Sequence, residues 1–318
     1  MKRILLISLS LFCLSELSAQ QDPQFTQNMF NRLAVNPAYA GSNGSICGTL
    51  LTREQWMGFE GNPRTTVFSA DGAFKIAQQY QFGAGLTVIQ DEIGPIQTTN
   101  AKLGLSYHLR IKQGILALGF DAGIANQSIT AKWRTSSGNF DGTEDAAIPN
   151  SDAGGYKFDL GGGIYYYTKE LYVGLSSTHL NQPLINGKGS GDDKYVFKQV
   201  RHYYVMAGYD YELNSMFTLQ PSIFTKTDAI STQVDINANV LYNDLIWAGL
   251  SYRLNDAVAF LAGVNVPRFE GLRVGMAYDY NISALSDYND GSLEFMINYC
   301  YKIVRKEKIQ RYKSVRFL

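Results

Sequence analysis

Few side chains in this sequence are suited to making or breaking bonds. His108, His179 and His202 are the proton-transfer candidates among three histidines in 318 residues. No serine-containing nucleophile elbow accompanies them, and the local pattern puts them on a strand, a loop and a strand, so a catalytic dyad is not expected. Gly83-Ala84-Gly85 and Gly161-Gly162-Gly163 could in principle cradle a phosphate, but no helix start follows either. They are expected to be wall glycines or bends. Asp141, Glu144 and Asp145 in one segment and Asp192 and Asp193 in another have the chemistry of calcium ligands without EF-hand spacing, and solvated charge is the alternative. With 28 basic and 28 acidic residues, no cationic excess is available to neutralise phosphates, which argues against a nucleic-acid partner. Three cysteines exclude a disulfide scaffold and, with three histidines, leave little for structural zinc. Neither an enzyme nor a cofactor is expected.

The elements that carry these residues begin with an address. Residues 1–20 open on Lys2 and Arg3, run apolar from Ile4 to about Leu14, and end in Ser18-Ala19-Gln20, the form of a secretory signal peptide. Cys13 lies inside the apolar run behind bulky Phe12, which disfavours lipidation. Beyond the signal no apolar run approaches the roughly 18–20 residues of a spanning helix, so any membrane span must be a β-barrel.

A period of two dominates the rest. In 292–302, Leu293, Phe295, Ile297, Tyr299 and Tyr301 share one face, while Ser292, Glu294, Asn298 and Lys302 share the other. Fourteen such segments occur, near 45–55, 64–74, 80–90, 97–109, 114–124, 156–167, 170–178, 200–212, 216–226, 231–242, 245–254, 257–266, 271–281 and 291–302. A soluble β-sandwich also alternates, so the connections must decide. Alternate connections are short, such as Thr168-Lys169 and Asn243-Asp244, whereas the other side holds the long segments 125–155 and 179–199. That asymmetry, with aromatics near strand ends, predicts an all-β, transmembrane outer-membrane barrel of about 14 antiparallel strands over 45–302. The short turns are expected on the periplasmic rim.

Residues 21–44 do not alternate. Asn36-Pro37 and Gly41-Ser42 make turns, which predicts an irregular N-terminal arm, either a plug in the lumen or a periplasmic strap. This arm, with Asp22-Pro23-Gln24-Phe25 and Asn36-Pro37-Ala38-Tyr39-Ala40-Gly41, and the following Gln55-Trp56-Met57-Gly58-Phe59-Glu60-Gly61-Asn62-Pro63, strongly resembles the PorP/SprF family of outer-membrane proteins of Bacteroidetes type IX secretion and gliding machinery. The resemblance extends to the last strand, with its Gly291-Ser292-Leu293-Glu294 entry, and Arg32-Leu33-Ala34-Val35 departs from it by being more basic. It implies a fourteen-stranded barrel that helps export or surface-anchor specific proteins and is associated with periplasmic secretion-machinery subunits and exported surface proteins as well as outer-membrane lipid. A passive outer-membrane channel or transporter for small solutes is the alternative that barrel pattern alone fits equally well.

Three features add candidate contacts. Gly58 and Gly61 permit positive φ and Pro63 stiffens the exit, which would present Trp56 and Phe59 on the outer rim, where they bind a partner, form an interfacial girdle or pack within the loop. Residues 302–318 hold seven basic side chains and one acidic, a net +6 that leaves −7 over 21–301. The tail 303–318, with Arg305, Lys306, Lys308 and Arg311, is expected in the periplasm, either solvated or bound to an acidic subunit or lipid head groups. Finally, Cys47 near the start of the first strand and Cys300 near the end of the last fall at the barrel seam, where they either form a disulfide or remain two thiols.

Overall fold

The computed structural model describes residues 22–76, 80–130, 153–188 and 194–302. The signal segment, the basic tail with Arg305, Lys306, Lys308 and Arg311, and the loop acids Asp141, Glu144, Asp145, Asp192 and Asp193 lie outside the described residues.

Seventeen strands follow three single-turn 3-10 helices. They are β1 (Ile46–Glu54), β2 (Arg64–Ile76), β3 (Tyr80–Ile93), β4 (Ile96–Ile111), β5 (Gly114–Ile129), β6 (Ala153–Tyr167) and β7 (Leu171–Thr178). Next come β8 (Leu184–Lys188), β9 (Lys194–Lys198), β10 (His202–Tyr209), β11 (Tyr211–Glu212), β12 (Phe217–Thr227) and β13 (Thr232–Tyr242). The last are β14 (Ile246–Arg253), β15 (Ala257–Asn265), β16 (Leu272–Asn281) and β17 (Ser292–Tyr301). Each wall strand pairs antiparallel with its neighbours, and β1 pairs with both β2 and β17, so the sheet closes. Because β7 pairs directly with β10, β8 and β9 form a hairpin outside the ring of wall strands, bridged to it where Lys188 of β8 pairs with Gly154 of β6, while β10 and β11 both pair with β12 as one strand interrupted at Asp210. The wall is a closed barrel of 14 antiparallel strands.

The boundaries differ from the sequence pattern in two places. Segment 125–155 is strand at both ends, since β5 reaches Ile129 and β6 begins at Ala153. Segment 179–199 contains the β8–β9 hairpin, where Ile185 and Phe197 are buried with Ala125 and Ile129. Five-residue strands are too short for alternation to register, and their pairing comes from packing on the extended end of β5 and β6.

Burial runs opposite to that of a soluble barrel. Leu103 is 68% exposed beside Lys102 at 9%, and Phe295 is 47% exposed beside Glu294 at 0%. Apolar side chains face outward and charged ones inward, which is the arrangement a lipid-solvated wall requires. Among the described residues no helix is long and apolar enough to cross a membrane. The chain is an outer-membrane protein whose strands make the crossing.

The arm occupies the inside. Its turns, Asn28–Phe30, Arg32–Ala34 and Pro37–Tyr39, satisfy their own backbone locally, and Asn36 caps the third by accepting from Ala38 N at 3.0 Å with Pro37 at the first helical position. Asp22 sits by the end of β7 at the long-loop rim, and the arm descends until Gly41 bonds to Asp71 of β2 near the short-turn rim. From there β1 climbs back.

Candidate functional site

Two layers of side chains hold the arm. The upper layer is ionic. Arg53 of β1 pairs with Asp279 of β16 at 2.7 Å and Glu294 of β17 at 3.3 Å, and Arg253 of β14 pairs with Asp279 at 2.9 Å and Asp235 of β13 at 3.2 Å. The arm threads this cluster. Glu294 accepts the backbone N–H groups of Thr26 and Gln27, both at 2.8 Å, and Asp235 accepts from the Gln24 amide at 2.9 Å. The Thr26 hydroxyl accepts from Arg53 at 2.9 Å and donates to Asp279 at 2.7 Å. Buried ions are tolerated when paired and hydrogen-bonded, and here the arm backbone supplies part of that bonding.

Asp22 anchors the beginning of the arm. Its carboxylate accepts from Tyr204 at 2.6 Å and Thr178 at 2.8 Å, and lies 3.0 Å from His179 Nε2, while Lys226 donates to its carbonyl at 2.8 Å. His179 Nδ1 lies 2.8 Å from Asp159, which also pairs with Lys102 at 2.8 Å. Burial opposes the Asp22 charge, but His179 and His202 beside it hold the carboxyl well below the usual carboxylate range. Burial likewise opposes the imidazolium of His179, yet Asp22 and Asp159 outweigh it and push it up to about 9. The ring centroids of His179 and His202 lie 6.5 Å apart, so two histidines that the strand pattern separates meet around Asp22. The adjoining cavity holds about 20 Å³, room for one water and not for a substrate. This arrangement clamps a chain segment. His108 lies elsewhere, bonded with Ser106 to the Ala40 carbonyl.

Below the ions, wall glycines let the arm approach the strands. A Cβ on Gly83 would collide with the Ala40 carbonyl, one on Gly119 with the Ala38 backbone, and one on Gly163 with the Asn36 side chain. The glycines of Gly83-Ala84-Gly85 and Gly161-Gly162-Gly163 are wall glycines, and their missing side chains are where Asn36 and Ala40 fit. Phe25 and Met29 join the buried core with Trp247, on whose ring Phe30 packs at 4.8 Å. Arg32, the basic departure in the arm, stacks 3.6 Å over the Tyr172 ring and donates to Tyr165 at 3.0 Å.

Beneath this layer a cavity of about 820 Å³ opens toward the short-turn rim. Arg32, Tyr39, Tyr165, Tyr172 and Arg273 line it, with the 168–171, 243–245 and 265–272 turns at its mouth.

At the opposite rim the 55–63 turn is stapled to the β16–β17 connection, for Met57 donates to the Gly291 carbonyl at 2.8 Å and Asp290 to that of Met57 at 2.7 Å. Gly58 and Gly61 take φ of +95° and +76°. Phe59 is exposed, while Trp56 is half-buried with its backbone N–H on Ser292 and its indole nitrogen enclosed, so of the two rim rings Trp56 is the one that packs against the turn. Trp56 itself takes a positive φ of +52°. Pro63 returns the chain by accepting from Gln55 N at 2.8 Å. Across the seam Cys47 and Cys300 are register partners joined at their sulfurs, 2.09 Å apart. Among the described residues no cluster of His, Cys, Asp and Glu could hold a metal ion.

Known proteins supply the remaining findings. No curated protein matches the chain. Solved structures similar to it include the toluene transporter TbuX of Ralstonia pickettii, at 11% identity and TM-score 0.46 over 85% of this chain and 92% of that one. The translocator domain of autotransporter NalP from Neisseria meningitidis is similar at 14% identity and TM-score 0.44, over 87% and 96%. At these values they carry no functional argument. The family described as type IX secretion system membrane protein PorP/SprF matches residues 17–299, and the chain belongs to that family.

Proposed function

We propose that this PorP/SprF family member, a membrane component of type IX secretion, is a non-enzymatic docking platform that helps export or surface-anchor specific large proteins and is part of the gliding machinery where a cell has one. In this reading residues 1–20 are removed on export, the short-turn rim faces the periplasm and its machinery subunits, and the long-loop rim faces the exported protein. The observation that carries it is the filled lumen. A passive channel for small solutes needs an open path, whereas here residues 22–45 pass through the interior and are bonded to β1, β13, β16 and β17. Length is concentrated instead at the rim opposite the short turns, where loops on a rigid scaffold commonly carry recognition.

Deletion of residues 136–150, or Trp56 and Phe59 both changed to Ala, is expected to leave a heat-modifiable barrel and reduce surface retention of a cognate exported protein, with little change in small-solute uptake. Intact retention together with altered uptake would establish the channel instead. Truncation after Lys302 tests the other rim. It removes most of the net +6 while every wall strand remains, so co-purification of periplasmic subunits is expected to fall on truncation, and with the full-length chain to fall as salt is raised.

A further inference from the structure

The wall is taller than the bilayer on one side. Outward positions of β3 and β4 are apolar where Leu86 pairs with Leu103 and Val88 with Ala101, then polar where Gln90 pairs with Thr99 and Glu92 with Gln97, so these strands continue past the lipid-facing band at the long-loop rim. The β8–β9 hairpin stands at that level on the inner face, with Ile185 and Phe197 buried against Ala125 and Ile129 and with Gln199 donating to Asn100 at 3.3 Å. Its outer strand is half paired. One edge of β9 joins β8 in the register that sets Leu184 opposite Lys198, and among the described residues no strand pairs with the other edge. Gln199 donates its backbone N–H to the Pro183 carbonyl at 3.1 Å, which fixes the phase of the ladder. Because backbone groups alternate between the two edges of a strand, Tyr195, Phe197 and Gln199 point theirs at β8, while Lys194, Val196 and Lys198 point theirs away. A row of unpaired N–H and C=O groups is a template for one more strand.

We propose that the open edge of β9 binds an extended acidic segment of a protein reaching the long-loop rim, adding it to the hairpin as a further strand, antiparallel like the other pairings of this sheet. In this mode main-chain bonds supply affinity and side chains select the sequence. Val196 is 65% exposed and Lys198 is exposed two positions on, so a β-branched residue opposite the first and a carboxylate opposite the second complete the cross-strand pairs. A second copy of this chain fits poorly. β9 holds two lysines and no acidic residue in its five positions, so pairing two such edges sets like charges against each other, whereas an acidic strand is admitted. The proposal rests on the platform reading only for the compartment, the cell exterior, from which the segment comes. Binding itself does not depend on that reading.

The test uses the full-length protein in detergent and fluorescence anisotropy of a labelled peptide, Thr-Glu-Thr-Val-Thr-Glu-Thr. Two N-methylated forms serve as comparisons. In the first the Glu and Val nitrogens are methylated, which blocks the amides that would face β9, and in the second the nitrogens of the two inner Thr residues are methylated, which blocks amides that would face away. Both keep every side chain and charge. The unmodified peptide is expected to bind, the second form to bind comparably, and the first to bind at least about tenfold more weakly. Val196→Pro removes a donor from the open edge and none used by β8, a position where strands accept proline, so it is expected to lower affinity by about tenfold or more. Lys198→Glu is expected to weaken binding of this peptide and to favour one with a Lys-Thr-Val-Thr-Lys centre. Heat-modifiable migration confirms that each variant is folded, and the charge reversal decides the matter if the proline variant is not. Equal binding of the two methylated forms, no binding of any at millimolar concentration, or a folded Val196→Pro protein that binds normally would each overturn the proposal. Binding that appears only after deletion of residues 136–150 would place a segment of this chain on the edge and overturn the partner assignment. Surface retention of an exported protein is read in a separate assay, so failure of the platform reading and failure of the edge are told apart.

Discussion

Asp22, the first described residue of the arm, lies 3.0 Å from Nε2 of His179, which follows β7 and is 157 positions away in sequence. Their charges stabilise each other over a limited pH range. Folding raises the pKa of His179 from 6.5 to about 9, so its contribution is fully present below about pH 6.5 and is lost as pH rises through about 9. Folding depresses Asp22 below 3.8, so its contribution is present above that value and lost only in acid. Amide exchange protection over residues 22–28 is therefore expected to be greatest between about pH 4 and 6.5 and to weaken toward pH 9.5. His179→Gln should remove the alkaline decline. Constant protection from pH 6.5 to 9.5 in the parent protein, after correction for intrinsic exchange, would refute the ion pair.

The Arg53 cluster should be far more sensitive than the surface pair formed by Arg64 and Glu54. Arg53→Leu leaves Asp279 and Glu294 buried with one cationic partner fewer, and the loss on removing one member of a buried pair is about 3–5 kcal/mol. Arg64→Gln, whose side chain is 64% exposed, should leave the urea midpoint nearly unchanged. Equal midpoints for the two variants would mean that the cluster adds nothing to holding barrel and arm together.

Gly119→Val places a β-branched side chain where the Ala38 backbone lies. Valine suits a strand, so the wall should still form while the arm is displaced. Protease cleavage within residues 22–45 and ion conductance in planar bilayers are both expected to appear, and the parent should show neither. Conductance in the parent equal to that of the variant would mean that the arm does not obstruct the lumen.

Cys47 and Cys300 close a ring spanning 253 residues. Non-reducing gels are expected to show a compact form that disappears in Cys300→Ser, with a loss of a few kcal/mol in stability as expected for a long closed loop. Full alkylation of both thiols in the native, unreduced protein would rule out the bond.

How much of this was legible in sequence depends on whether a property is local. Alternation in 292–302 fixes which side chains of β17 face lipid, and the structure has Phe295 and Ile297 outward with Glu294 and Met296 inward. Connection lengths distinguish the two rims in the same local way. The partners of the inward charges are not local. Asp235, Arg253, Asp279 and Glu294 alternate correctly in their own strands, but nothing in the spacing says that they converge on Gln24 and Thr26, because convergence requires the barrel to close. His179 and His202 gave no signal for the same reason. For Arg32 there was one, its unexpected charge within the arm, and the structure connects that charge to the cavity.

Thr26 and Glu294 are 268 positions apart, yet the backbone of one is held by the carboxylate of the other. The earliest part of the arm to be made is thus gripped by nearly the last strand to be made, and the seam between β1 and β17 shuts around it. Container and contents are consequently a single folding unit. A chain stopped before β17 has no Glu294 to seat the arm and no partner for β1, so an incomplete barrel exposes an unpaired edge and a loose arm together, which gives the cell a clear physical difference between finished and unfinished molecules.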